Sequence, residues 1–87
     1  MRDELATEIA AWIEGEAILG TNSGTWCVYS DEIRKKFGVD VRDDTELLQM
    51  ILLTFDSEMV ADTNVFWEGD EMAIEITFWD YVWMEDE

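Results

Sequence analysis

Residues 43–87 read DDTELLQMILLTFDSEMVADTNVFWEGDEMAIEITFWDYVWMEDE. This stretch contains fourteen carboxylates and no lysine, arginine or histidine. It also holds most of the large apolar side chains of the protein, in patterns that predict a helix followed by two strands. We therefore expect a folded segment whose surface carries one sign of charge, rather than a flexible acidic tail.

The whole chain has the composition of a single acidic domain, residues 1–87. A hydrophobic content of 48%, with 13% aromatic residues, is far above that of a disordered acidic chain. The net charge of −17 disfavours nucleic acid and anionic membranes as direct partners and favours positively charged proteins. The plain alternative is an acidic surface that serves only solubility.

The cysteine content and the apolar runs bear on the compartment. The single cysteine, Cys27, cannot form an internal disulfide, and its place in the segment TWCVY predicts a buried, unreactive thiol. The chain does not begin with a basic region and an apolar run, and no apolar run approaches the roughly 20 residues of a membrane span. These observations favour an intracellular location, the cytoplasm of a host cell.

The first half of the chain predicts two helices separated by a short strand. Apolar residues three to five positions apart predict a helix over 3–19, and Thr25 to Tyr29 is typical of a strand. Ser30 is a favourable N-cap for a second, short helix that ends at Gly38. This helix and the connection after it hold four basic residues, which we interpret as partners of the helix dipole and of nearby carboxylates: Arg34, Lys35, Lys36 and Arg42.

The second half predicts a third helix and a hairpin. Asp43, with Glu46 three residues later, indicates the N-terminal cap of a helix over 43–56. Two strands are expected over 59–67 and 72–83, joined by a short loop that contains Gly69. The third helix has a buried stripe of apolar residues: Leu47, Leu48, Ile51, Leu52 and Phe55.

This order of elements resembles a winged helix-turn-helix domain. The predicted fold class is accordingly α+β and winged-helix-like: three helices with a short strand and a C-terminal two-stranded hairpin. In that family the third helix enters the major groove of DNA and the hairpin contacts the backbone. Phosphate contacts need lysine and arginine, whereas both elements carry carboxylates here, so we do not expect DNA binding.

The chain shows no catalytic motif. Without histidine, and without lysine after position 36, no nucleophile–base pair is evident, and we expect neither enzyme activity nor a cofactor. A calcium site at Asp40, Asp43, Asp44 and Glu46 would lack the ligand order of an EF-hand. One cysteine and no histidine exclude a zinc site. We therefore expect no metal, and a solvated helix start at these residues.

The aromatic residues Trp79, Tyr81 and Trp83 fall on one face of the predicted last strand. They suit a core that covers the helices, which is the favoured interpretation, and they also suit an interface, since tryptophan and tyrosine are enriched among binding anchors. If that strand lay at the edge of the sheet, it would be prone to pair with another chain. A homodimer formed through it therefore stays open.

In size, acidity and lack of catalytic motifs, the chain resembles the small phage-encoded inhibitors that mimic DNA, namely anti-CRISPR and anti-restriction proteins. The resemblance implies that a rigid acidic surface occupies the cleft of a basic nucleic-acid-binding protein, such as a CRISPR effector. Anti-CRISPR proteins are the leading subclass, because those inhibitors are commonly this short. The expected partner-binding carboxylates are Asp43, Asp44, Glu46, Asp62, Glu68, Asp70, Glu71 and Glu75.

Two other functions stay open. One is a winged-helix protein-interaction module or dimerising adaptor that does not bind DNA and uses Trp79, Tyr81 and Trp83. The other is a host regulator or antitoxin that neutralises a basic partner. For stability, we expect repulsion among the carboxylates to raise their pKa values on balance, so that the fold gains stability from added salt and from lowering the pH from 7 to about 5.

Overall fold

The computed structural model describes residues 2–20 and 24–80, and it is an α+β fold. The elements, in chain order, are α1 (Arg2–Gly20), β1 (Thr25–Tyr29), α2 (Ser30–Phe37), α3 (Thr45–Thr54), β2 (Val60–Glu68) and β3 (Glu71–Phe78). The predicted fold class of three helices, a short strand and a C-terminal hairpin is confirmed. The finer likeness to winged-helix domains is not confirmed and stays a prediction. In this structure α3 packs mainly on α1, whereas α2 packs on β1 and β3.

The three strands form one antiparallel sheet in the order β1-β3-β2. Each strand meets its neighbour in a continuous register, from Thr25 opposite Thr77 to Tyr29 opposite Ala73 on one side, and from Asp62 opposite Thr77 to Glu68 opposite Glu71 on the other. Because β3 is the central strand, it has no free edge over Glu71–Phe78. Over these residues the last strand therefore offers no open edge for dimerisation, and the expectation of such an edge is wrong.

One face of the sheet and the three helices enclose the core. Ile74 and Ile76 of β3 are fully buried, as are Ile13 of α1 and Ile51 of α3. Each such side chain contributes roughly 1.5–3 kcal/mol through the apolar surface that it removes from water. The buried face of α1 also includes Ala6 and Ala10, and these small residues suit close packing against α3.

The N-cap of the third helix lies one residue later than the sequence predicts, and the helix is shorter. Asp44, not Asp43, is its N-cap, and the Asp44 carboxylate accepts a hydrogen bond from the Leu47 N–H at 3.1 Å. Asp43 instead belongs to the preceding turn, where its N–H donates to the Asp40 carbonyl at 3.2 Å. Two adjacent aspartates give almost the same capping signal, and only the turn distinguishes them.

The second helix ends as predicted but begins differently. Gly38 adopts a left-handed conformation, with φ at 77°, and its N–H donates to the Arg34 carbonyl. Tyr29, rather than Ser30, occupies the N-cap position, and its side chain makes no capping hydrogen bond. Ser30 is the first helical residue, and a glutamate from β3 replaces the missing cap, as described below.

The hairpin turns at Gly69 and Asp70, with Gly69 in the left-handed region. Its strands run from Val60 to Glu68 and from Glu71 to Phe78, close to the predicted positions except that the second strand ends earlier. Tyr81 and Trp83 lie outside the described residues, so the predicted aromatic face is seen only at Trp79. Within the described ranges, none of the helices is both long and apolar enough to cross a lipid bilayer.

Candidate acidic binding surface

The face of the sheet that points away from the helices is polar and acidic. Residues directly opposite one another on antiparallel strands share a face, so the register defines this surface completely. We name it the outer sheet face, and its residues are Thr25, Cys27 and Tyr29 on β1, Glu71, Ala73, Glu75 and Thr77 on β3, and Asp62, Asn64, Phe66 and Glu68 on β2. None of the three strands contains a lysine or an arginine.

Glu75 lies in the middle of the outer sheet face, between Cys27 and Asn64. The Cys27 Sγ lies 3.8 Å from a Glu75 carboxylate oxygen. Burial, followed by the charge of Glu75, raises the pKa of the Cys27 thiol, so the thiol stays protonated and donates to the carboxylate. The sequence predicts that Cys27 is buried. Its side chain is only half-buried, because it points to this open face and not to the core.

An aromatic row crosses the sheet next to Glu75. Tyr29 and Phe66 are the two cross-strand neighbours of Ala73, and all three point to the outer sheet face. The Tyr29 hydroxyl donates to the Glu68 carboxylate on the far strand at 2.7 Å, so the ring extends across β3. This hydrogen bond is the main cause of the raised pKa of Tyr29. Ala73, between these two residues, has no exposed surface although it faces away from the helices.

The Glu71 carboxylate has a structural role. It accepts hydrogen bonds from the Ser30 hydroxyl and from the Asp31 N–H, both at 2.8 Å. The Ser30 hydroxyl oxygen in turn accepts from the Met72 N–H at 3.1 Å. Glu71 therefore caps α2 from outside the helix, and its negative charge lies at the positive end of the helix dipole.

Four of the five basic residues form ion pairs within the described chain, and together they make an ion-paired cluster. Arg2 contacts Asp44 at 2.5 Å, and Arg42 contacts Asp40 at 2.7 Å. Arg34 and Lys35 both contact Asp31 within α2. Arg42 also donates to the Asp70 carbonyl at 2.8 Å, which ties the hairpin turn to the loop before α3.

The ion pairs lower the pKa of the three aspartates. Hydrogen bonds from Arg42 hold the pKa of Asp40 at about 2, below its ordinary value of 3.8. Arg34 lowers the pKa of Asp31, and Arg2 lowers that of Asp44. The pKa values of these three aspartates are lowered, whereas the sequence predicts raised values, because each aspartate forms an ion pair with at least one of the few bases.

The structure divides the eight predicted carboxylates into two groups. Glu68, Glu75 and Asp62 lie on the outer sheet face, where Glu71 is also present but caps α2. Asp43, Asp44, Glu46 and Asp70 lie around the loop before α3 and the hairpin turn, beside the bases of the ion-paired cluster. None of the carboxylates on the outer sheet face forms an ion pair with a described residue, so this face keeps its negative charge.

Comparison with protein-family models, with curated proteins and with solved structures finds no match to this chain. The geometry and charge of the surface therefore carry the functional argument.

Sequence reasoning overlooked the aromatic row. Phe66 and Tyr29 lie on strands for which the sequence-based prediction does not state which residues point inward and which point outward. The signal was available in β2, where Asp62, Asn64, Phe66 and Glu68 recur at every second position. The predicted aromatic interface is only partly visible: Trp79 is 45% exposed, and its indole N–H donates to the Ser57 carbonyl at 3.0 Å.

Among the described residues, no group of three or more cysteine or acidic side chains is arranged to hold a metal ion. The four residues weighed as calcium ligands have other contacts. Asp40 is bound to Arg42, and Asp44 caps α3 and pairs with Arg2. Asp43 and Glu46 are exposed beside them.

The ion pair of Asp40 predicts a specific loss of stability in acid. Because the folded pKa is lowered, the carboxylate favours the folded state above pH 4, and this contribution is lost as the pH falls towards about 2. We expect Asp40→Asn to lower the melting temperature at pH 7 and to flatten its decline between pH 4 and 2. Thermal unfolding followed by circular dichroism across this range measures both effects.

Asp43→Asn is the matched control, because it changes the net charge equally at an exposed neighbour with no ion pair among the described contacts. It should keep the acid decline of the wild-type protein. Identical acid profiles for the two variants would mean that the Asp40–Arg42 pair does not stabilise the fold.

Proposed function

We propose that this protein is an inhibitor that binds a cationic nucleic-acid-binding protein by presenting a DNA-like acidic surface. An anti-CRISPR protein is the leading subclass, and its target would be a CRISPR effector or a similar enzyme inside the host cell. No catalytic step is part of this proposal. The protein would act by occupying the basic cleft and excluding nucleic acid.

The observation that carries the proposal is the segregation of charge. Four of the five bases form ion pairs in the ion-paired cluster, while Asp62, Glu68 and Glu75 on the outer sheet face form no ion pair with a described base. A sheet is a rigid support, so these carboxylates are held at fixed spacings rather than on a mobile tail. A preorganised charged surface loses little entropy when it binds.

The density of charge supports the proposal. The described residues carry 19 carboxylates and five bases, a net charge of −14, and they measure 44 × 29 × 19 Å, so 14 charges divided by the 44 Å long axis give about 0.3 charge per Å. B-DNA carries one charge per roughly 1.7 Å, or about 0.6 per Å. The described part of the protein thus reaches about half of the linear charge density of the duplex, and at 19–29 Å it is about as wide as the duplex.

The experiment is a pull-down from nuclease-treated bacterial lysate at low salt, eluted with a salt gradient. We expect a basic nucleic-acid-binding protein to elute at moderate salt, because attraction between exposed charges is screened over about 10 Å at 0.1 M. Added duplex DNA should displace the bound partner, since both occupy one cleft. A partner that binds the protein and DNA simultaneously would contradict mimicry.

The second candidate is a protein-interaction module that uses apolar contacts. It is favoured by the exposure of large apolar side chains, including Leu53 at 84% and Trp79 at 45%. Such an interface should hardly respond to salt. A partner that stays bound through the whole salt gradient, or self-association alone, would therefore favour this candidate over the inhibitor.

A further inference from the structure

We propose that the outer sheet face recognises arginine in preference to lysine, through the aromatic row of Tyr29 and Phe66 and the carboxylates on either side of it. This inference rests on the proposed function and specifies the side chain that the cationic partner contributes. The occupant is an arginine-bearing segment of that partner.

The aromatic row supplies a stacking surface. Tyr29, Ala73 and Phe66 lie side by side on three neighbouring strands, so the row spans roughly 10 Å at about 4.8 Å per strand interval. Both rings are half-buried, and Ala73 between them is fully buried. The hydrogen bond from Tyr29 to Glu68 fixes one ring in place. A planar cation can therefore stack on rings that are already positioned.

Carboxylates lie on both sides of this surface. Glu75 is two residues from Ala73 along β3, and Glu68 is two residues from Phe66 along β2 in the other direction, each about 7 Å away along its strand. The Tyr29 hydroxyl donates to the Oε1 atom of Glu68, so the Oε2 atom can accept from a bound cation. A guanidinium stacked on the row can thus direct its N–H groups to a carboxylate at its edge.

This combination distinguishes arginine from lysine. The guanidinium is planar, stacks on aromatic rings and donates from several N–H groups in one plane. The lysine ammonium is a compact and strongly hydrated charge that cannot stack in this way. The carboxylates alone already favour the guanidinium, because it can donate two N–H groups to one carboxylate, and the rings add a stacking contact that lysine lacks.

Charge complementarity determines which occupant we assign to this face. Four of the five bases of this chain are paired with Asp31, Asp40 and Asp44 instead. A second copy of the chain would bring another net charge of −17 to an acidic face, which opposes association. An arginine-bearing partner brings the opposite charge.

The test compares octa-arginine with octa-lysine, two peptides of equal charge, by calorimetric titration at about 50 mM salt, where electrostatic binding is strong. We expect octa-arginine to bind about three- to tenfold more tightly, from one or two stacked guanidinium groups. Phe66→Leu keeps an apolar side chain but removes a ring, and it should reduce this preference to the part that Tyr29 and the carboxylates supply. NMR shift mapping should place the peptide on β1, β2 and β3.

Trp67→Leu is the matched control. Trp67 is the next residue of the same strand, is 58% exposed and pairs with Met72, so it points to the opposite side of the sheet. It should leave the preference for arginine unchanged. Glu75→Gln, which removes a charge without changing shape, provides a second variant on the face and should weaken octa-arginine more than octa-lysine.

The outcomes separate this inference from the proposed function. Equal affinities for the two peptides would overturn arginine recognition and leave an acidic inhibitor intact. The absence of binding by either peptide would overturn both. A preference that Phe66→Leu leaves undiminished, a peptide mapped to α1, or a homodimer that Phe66→Leu dissociates would overturn the assignment of this face.

Discussion

Replacing Asp62, Glu68 and Glu75 together by lysine is expected to abolish binding of the cationic partner and to leave the fold intact. The three side chains lie on the outer sheet face and take no part in the core or in the ion-paired cluster. Reversal changes the net charge from −17 to −11, so the protein stays strongly acidic overall. What changes is the local field on one face.

The expected loss is at least about 100-fold in affinity at low salt, because like charges placed opposite one another cost several kcal/mol. Titration of the purified partner against wild-type and variant protein measures it, and circular dichroism verifies the fold. The Glu68 substitution also removes the acceptor of the Tyr29 hydroxyl. That contact is exposed, so its loss should affect stability only slightly.

The matched control reverses Asp3, Glu8 and Glu16, which are exposed on the helix α1. This variant has the same net charge of about −11 and the same number of new lysines, but its changes lie on the helical side of the molecule. We expect it to bind the partner with less than about a threefold loss. Equal losses in both variants would mean that total charge matters and that the outer sheet face is not the binding surface.

The elements of the fold could be predicted from the sequence because their signals are local. Apolar spacing placed α1, Gly38 marked the end of α2, and Gly69 marked the hairpin turn. These signals depend on residues within one or two turns of each other. The central position of β3 is not a local property, so the sequence did not reveal that this strand lacks a free edge.

The candidate site was harder to predict, because the sequence does not distinguish a carboxylate that forms an ion pair or caps a helix from one that does neither. Asp44 and Glu71 were expected to face a partner, yet one pairs with Arg2 and the other caps α2. Their contacts span 42 and 40 positions of the chain. Composition gives the sign of the surface, and only the tertiary structure shows which part of it keeps its charge.

Loss of the hydrogen bonds that join α2 to β3 is expected to have the largest effect on stability of any change outside the apolar core. Ser30 is 2% exposed, and its hydroxyl both donates to Glu71 and accepts from the Met72 N–H. We expect Ser30→Ala to reduce the free energy of unfolding by about 1–3 kcal/mol, because the buried Met72 N–H loses its acceptor. Urea denaturation at neutral pH measures this change.

Ser57→Ala is the matched control, since Ser57 is exposed and only its backbone carbonyl is used, by Trp79. It should change the free energy of unfolding by less than about 0.5 kcal/mol. Ser30→Ala should leave partner binding unchanged under conditions where it is folded, because Ser30 does not lie on the outer sheet face. Unchanged stability in Ser30→Ala would mean that Met72 finds another acceptor. A loss of binding in the folded variant would show that the Glu71 cap positions the acidic surface as well as the helix.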